Sequence, residues 1–171
     1  MSQITKQQAI NRKEIICAFI DSNNLYLGVK DQRWILDFSK FRKFLKDKYR
    51  VGKAYLFIGF VSDNQTLYTE LQEAGYICIF KPTLEIKNNG IVKIKGNVDA
   101  ELVLHAMIEY ENYNKAVIVS GDGDFHCLIE YLAKQNKLRK VIVPNARFSS
   151  LIRKFSSFIV NIQLFKKKLE K

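Results

Sequence analysis

At 171 residues, 47% of them hydrophobic, the chain is long enough to bury one full core and too short for two domains of ordinary size. Lys and Arg number 28 against 17 Asp and Glu, a net charge of +11, which points to an acidic partner, with nucleic acid first and an anionic membrane surface second. The start MSQITKQQAINRK is too polar for a secretory leader, no window approaches the roughly 18 apolar residues of a membrane helix, and Cys17, Cys78 and Cys127 are odd in number and far apart. These features exclude a disulfide framework and a zinc site, and predict buried free thiols in a cytoplasmic protein.

Residues 1–13 are expected to form a polar tail before the first strand, EIICAFI at 14–20. Asp21-Ser22-Asn23-Asn24 follows, with Tyr26 and Trp34 in the loop beyond, where either could stack on bases or pack internally. Phe38, Phe41, Phe44 and Leu45 have helical spacing, with Asp37 or Ser39 as N-cap. KAYLFIGF at 53–60 is the second strand; Ser62-Asp63 fits a helix N-cap, and that helix runs through Leu67 and Leu71 to stop at Gly75. YICIF at 76–80 is the third strand. TLEIKNNGIVKIKGN at 83–97 has two alternating segments around Asn-Asn-Gly, the pattern of a β-hairpin, and it is basic through Lys87, Lys93 and Lys95.

A helix over 98–113, with Val98, Leu102, Met107 and Ile108, leads into the strand KAVIVS at 115–120. A helix over 124–136 carries Phe125, Leu128, Ile129 and Leu132, and KVIVP at 140–144 is a further strand. FIVNIQLFKKKLEK reads as a short strand and then, over 161–171, a Lys-rich helix or tail. Continuously apolar strands alternating with helices mean an α/β fold with a mainly parallel sheet, one domain over 14–160 with a basic hairpin insertion.

In such sheets ligands bind beyond the carboxyl ends of the strands, where strand order reverses. Two strand ends carry acids in a chain that is otherwise basic: Asp21 after the first strand, and Asp122 and Asp124 after strand 115–120. Asp99 opens the helix leading back to that strand. Each acid alone fits a turn or a helix start. Together they would repel and raise one another's pKa unless a cation neutralised them, and hard oxygen ligands suit Mg²⁺ or Mn²⁺. GDGDFH lacks the third glycine of a dinucleotide loop, His126 standing in its place, and it has neither the spacing nor the final Glu of a calcium loop. A basic chain around an acidic, metal-loaded pocket is the layout a nuclease needs, since Lys and Arg hold phosphates while the acids hold metal.

FIDSNNLY (19–26), KGNVDAELVLH (95–105) and VIVSGDGDFHCLIEYL (117–132) resemble, in order and spacing, the motifs of the NYN domain family, the LabA-like branch of the PIN-like nucleases. The resemblance spans roughly 14–160. It implies a three-layer α/β/α Rossmann-like PIN fold and metal-dependent endoribonucleolytic cleavage of RNA, with Asp21, Asp99, Asp122 and Asp124 holding Mg²⁺ or Mn²⁺. Asn24 and Ser120 match the motif residues that orient ligands or substrate. Lys93 and Lys95 of the hairpin and Arg147 of the later loop are expected to guide the RNA strand. Many members carry another Asp six residues after the Val-Asp acid; here that position is His105, about 9 Å along a helix from Asp99, and a contact to a metal ligand or to substrate is weighed there against a plain helix histidine. His126, in the first turn of its helix, is weighed between general acid and surface packing in the same way. A PIN-like module that binds RNA without cleaving it is the alternative reading, and a homodimer is left open.

Overall fold

The protein's structure, a computed structural model, describes residues 14–82, 84–88, 91–95 and 97–171, and for 84–95 the backbone only. The expected N-terminal tail and the Asn89-Gly90 turn of the hairpin lie outside the described residues. The strands are β1 (Ile16–Asp21), β2 (Val51–Phe60), β3 (Ile77–Pro82), β4 (Leu84–Asn88), β5 (Ile91–Lys95), β6 (Lys115–Val119), β7 (Leu138–Val143) and β8 (Ile159–Asn161). Six of them form one parallel sheet in the order β3-β2-β1-β6-β7-β8, while β4 and β5 pair antiparallel as the expected hairpin. The helices are α1 (Ser22–Lys30), α2 (Phe38–Tyr49), α3 (Gln65–Glu73), α4 (Asp99–Ile108), α5 (His126–Lys134) and α6 (Lys166–Leu169).

The period-two geometry of the strands divides their apolar residues between two cores. Ile16, Ala18 and Ile20 of β1 pack with Leu25 of α1, Leu45 of α2 and Leu71 of α3. Cys17 and Phe19 point the other way, to Leu102 of α4 and Leu128 of α5. All six residues of β1 are buried, so the strand carries no polar face until Asp21. Helices on both faces complete the three-layer α/β/α fold, and each fully buried Leu, Ile or Phe contributes roughly 1.5–3 kcal/mol. The chain leaves β1 toward β2 on one side and returns as β6 on the other, so strand order reverses between β1 and β6.

Several local expectations are corrected. The segment after Asp21 is a helix: Asp21 caps α1 by accepting from the Asn24 backbone N–H at 3.1 Å. Its polar start and a short buried stripe of Leu25 and Val29 hid the period. Tyr26 therefore lies on α1, 44% exposed, whereas Trp34 is 5% exposed in the core beside Leu36 and Phe41, which removes it as a base platform. Asp63 caps nothing, because a 3-10 turn over Ser62–Asn64 precedes α3; Gly75 does end that helix, at φ +92°. The helix before β6 stops at Ile108, with Met107 and Ile108 exposed, so its buried residues are Leu102 and Ala106. The helix after β6 begins as a 3-10 turn, Gly123–Phe125. Of the three thiols only Cys17 is buried; Cys78 is half-buried and Cys127 exposed.

Asp37 caps α2, accepting from the Lys40 N–H at 2.9 Å, as its spacing suggested. The Lys-rich C-terminal segment forms β8, a 3-10 turn and α6, and buries Leu169 in the first core. A bridge from Glu170 to Leu36 fastens it beside α2. Among the described residues no helix is long and apolar enough to cross a membrane.

Candidate metal centre

The carboxyl ends of β1 and β6, adjacent at the reversal of strand order, bring the two most distant motifs together. Asp21 ends β1 and Ser120 follows β6; both are buried, at 5% and 1% exposure. The Ser120 hydroxyl donates to Asp21 Oδ2 at 3.3 Å and accepts from the Asp122 N–H at 3.1 Å. Asn24, in the first turn of α1, accepts from the Gly121 N–H through its Oδ1 at 2.8 Å. The Asp21 carboxylate, the Asn24 amide and the Ser120 hydroxyl thus lace the DSNN turn to the SGDGD turn. A loop end that would otherwise expose unpaired backbone N–H groups becomes a fixed frame.

Asp122 leaves that frame through its own turn, its Oδ1 accepting from the Asp124 N–H at 3.0 Å. Gly123 permits the turn because a Cβ there would lie 2.3 Å from Ser149 Oγ and 3.2 Å from Leu151 Cδ1. Asp99 arrives from the middle motif as the first residue of α4. Asn97 positions it twice: its Oδ1 accepts from the Asp99 N–H at 3.0 Å, and its Nδ2 donates to Asp99 Oδ2 at 2.6 Å.

One oxygen each from Asp99, Asp122 and Asp124 lies within 4.8 Å of the other two. Two ligands of a single ion with bonds of about 2.1 Å stand at most about 4.2 Å apart. Adjacent ligands of an octahedral ion stand closer still, about 3 Å apart, so the three carboxylates would draw together around a bound cation. Asp21 lies deeper, outside this group of three, and lines the same cleft of about 520 Å³ with Asp99, Asp122 and Arg147.

Among the described residues none of the four aspartates forms an ion pair; Lys81, the nearby cation, is taken by Glu101 at 3.1 Å. Burial pushes the Asp21 carboxyl above the ordinary carboxylate range, and the charges of Asp99 and Asp122 push the same way, against the Asn24 N–H and the Ser120 hydroxyl. Partial burial also raises Asp99, with Asp122 and Asp124 adding to it, while the Asn97 hydrogen bond and Lys81 act against the rise. An all-oxygen donor set with surplus negative charge, in no ion pair among the described residues, fits a hard divalent metal.

The other residues singled out from the sequence are placed as follows. His105 does not line the acidic cleft. Its ring stands edge-on to Phe57, centroids 5.5 Å apart, and its Nδ1 lies 3.0 Å from the Glu101 carbonyl oxygen. His126 Nδ1 lies 3.1 Å from the Gly123 carbonyl oxygen, so the ring braces the first turn of its own helix. Lys93 and Lys95 belong to β5, where the side chains lie outside the described residues. Sequence reasoning passed over Asn97, whose place two residues before Asp99 was the available signal, since Asn in that position turns the chain into a helix. It also passed over Asp31 and Pro144, which line the cleft from outside the three motifs.

The comparisons agree with this architecture. The model of the NYN domain matches residues 16–164. The chain is 28% identical over 138 residues to the low amplitude and bright protein LabA of Synechococcus elongatus, covering 76% of this chain and 74% of that protein. The crystal structure of a protein of unknown function from Vibrio parahaemolyticus superposes with a TM-score of 0.74 at 23% identity, over 94% of this chain and 98% of the other, and shares the fold. With a family model spanning nearly the whole domain and its motif acids gathered at one sheet edge, the chain belongs to the NYN domain family.

Proposed function

We propose that the protein is a metal-dependent ribonuclease that hydrolyses RNA phosphodiester bonds at the carboxyl edge of its sheet. The observation that carries this reading is the convergence of Asp99, Asp122 and Asp124, which among the described residues form no ion pair, in a chain whose net charge is +11. These three acids would hold Mg²⁺ or Mn²⁺, and Asp21 would serve the same centre as a fourth carboxylate. When bound, such an ion supplies Lewis-acid activation of water and of the phosphodiester.

The chain's own groups do the positioning. Asn97 fixes the Asp99 carboxylate by donating to its Oδ2. Ser120 and Asn24 hold the Asp21 and Asp122 segments at constant separation. Asp21, which burial holds less acidic than an ordinary carboxyl, keeps a lone pair on each oxygen after its two hydrogen bonds and would turn these toward the same centre. Arg147, at the rim of the cleft, would contact substrate phosphate, and the hairpin lysines Lys93 and Lys95 are assigned the same task. Membership of a family of PIN-like nucleases supports RNA as the substrate class.

The test is cleavage of a fluorescent single-stranded RNA by purified protein across a Mn²⁺ and Mg²⁺ titration, beside Asp122→Asn. Asn retains an Oδ1 for the Asp124 N–H, so the turn survives while a charge is lost. Cleavage should require metal and fall at least a hundredfold in the variant, with an unchanged melting transition. Undiminished cleavage by Asp122→Asn overturns the site. Metal-independent RNA binding without any cleavage would instead establish the non-catalytic module.

A further inference from the structure

Beside the acidic cleft lies a second cavity, of about 510 Å³, that the chemistry above does not use. Its floor is the end of β2, including Ile58, and its walls are α1 on one side and α3 on the other. The two cavities share Asn23 and Val98 in their linings. Asp21 pairs with Phe57 across β1 and β2, so Ile58 begins one residue beyond the acid and one strand spacing, about 4.8 Å, to its side.

The lining is apolar where solvent would favour polar groups. Tyr26 is 44% exposed, Ile35 60% and Leu67 38%, and all three converge on this one space in a strongly basic chain. Exposed apolar residues gathered on a concavity mark a binding surface, unlike the same residues scattered singly. The volume falls in the range of roughly 300–1,000 Å³ that accepts a small organic group.

Three features narrow the occupant to a nucleobase. Tyr26 offers a ring to stack on, and the Lys30 ammonium one turn later lies 5.6 Å from its centroid, where it can also meet a phosphate. Asn23 and Asn64 line the cavity, and among the described residues neither side-chain amide forms a hydrogen bond, leaving a donor and an acceptor each for a base edge. Continuity with the acidic cleft supplies the last constraint: on the ribonuclease reading, a ligand reaching both carries at one end a phosphate that the bound metal would hold, and at the other a planar apolar group.

We propose that this cavity is a nucleobase slot, taking a base of the RNA strand beside the phosphate held in the acidic cleft, with Tyr26 as its stacking platform. The proposal rests on the ribonuclease reading for its orientation and is tested apart from cleavage. A fluorescein-labelled, eight-nucleotide single-stranded RNA is made as a series, with one abasic ribose moved a position at a time. Binding to the Asp122→Asn protein in Mg²⁺ is followed by fluorescence anisotropy, and RNA integrity is read on a gel from the same samples.

One position should stand out, with affinity falling between about fivefold and 150-fold, the range of one to three kcal/mol of base stacking. Tyr26→Ala should flatten the profile, and Tyr26→Phe should retain it. Tyr26 is exposed, so these variants keep the core intact. A flat profile with RNA binding intact overturns the slot and leaves the nuclease reading standing, as does a profile unchanged in Tyr26→Ala. A position-dependent profile without cleavage by the wild-type protein removes the nuclease reading and retains the slot. Absence of RNA binding overturns both.

Discussion

Asn24 and Gly121 are joined by a 2.8 Å hydrogen bond across 97 residues of sequence, from the side chain of the first motif to the backbone of the last. The bond fixes the separation of β1's acid from β6's acids. Asn24→Ala would leave the Gly121 N–H, part-buried, without its acceptor. Stability should fall by about 1 kcal/mol, the net worth of such a bond, measurable as a lower urea midpoint with unchanged slope. Metal-dependent cleavage should fall on the order of tenfold to a hundredfold, because a misplaced ligand frame costs more than the bond itself. A loss of stability with full activity would show that the lacing serves the fold alone.

The raised carboxyls predict a trade between stability and function. A carboxyl with a higher pKa in the folded than in the unfolded chain favours the fold while protonated, and that contribution disappears as pH rises through its folded value. For Asp21 and Asp99 the window opens near the unfolded value of about 3.9 and closes above their raised folded values. Near pH 7 and without metal, both ionised acids therefore weigh against folding. Asp21→Asn keeps an N-cap oxygen for the Asn24 N–H and removes the charge. Its melting temperature in EDTA should exceed that of the wild type at pH 7, the gain should shrink toward pH 4, and cleavage should be lost. A variant that melts lower at pH 7 would contradict the assignment of surplus charge.

Gly123 is a steric requirement of the site. An added methyl would stand 2.3 Å from Ser149 Oγ, 3.0 Å from its Cβ and 3.2 Å from Leu151 Cδ1. Overpacking of this kind costs roughly 1–3 kcal/mol. Gly123→Ala should lower the melting temperature and weaken Mn²⁺ binding by calorimetry, since Asp122 and Asp124 flank the displaced turn. Adding Ser149→Gly makes room for the methyl and should recover much of the affinity. Unaltered Mn²⁺ affinity in the single variant would separate the turn from the metal.

His105 occupies the position where many family members carry an acid, yet its ring is engaged with Phe57 and the Glu101 carbonyl. Packing accounts for the residue in this chain. His105→Gln should leave metal-dependent cleavage within about twofold and its pH profile unshifted, with a small loss of stability from the missing edge contact of about 0.5–1.5 kcal/mol. A displaced pH profile would instead tie the imidazole to the reaction.

The strands were legible from the sequence because each is a short, continuously apolar run, and burial on both faces demands that pattern whatever surrounds it. The hairpin was legible from its alternation, which survives as the antiparallel pairing of β4 and β5. Helix α1 was not, since its start is polar and its buried side is Leu25 and Val29 with Ser22 and Gly28. Trp34 looked like a loop aromatic because its burial depends on α2 and the Leu36 segment, which are tertiary neighbours.

For the site, the sequence by itself determined which acids exist, that they stand at two strand ends and one helix start, and that their sign opposes that of the chain. Local chemistry suffices for that, because a strand end and a helix start are readable within a few residues. Only the tertiary structure decided which acids meet. Asp99, Asp122 and Asp124 converge while Asp21 stands deeper, held by Ser120 and Asn24, because parallel pairing of β1 with β6 sets residues almost a hundred positions apart side by side. The same pairing of β1 with β2 placed an apolar slot next to the acids, a juxtaposition that no local pattern encodes.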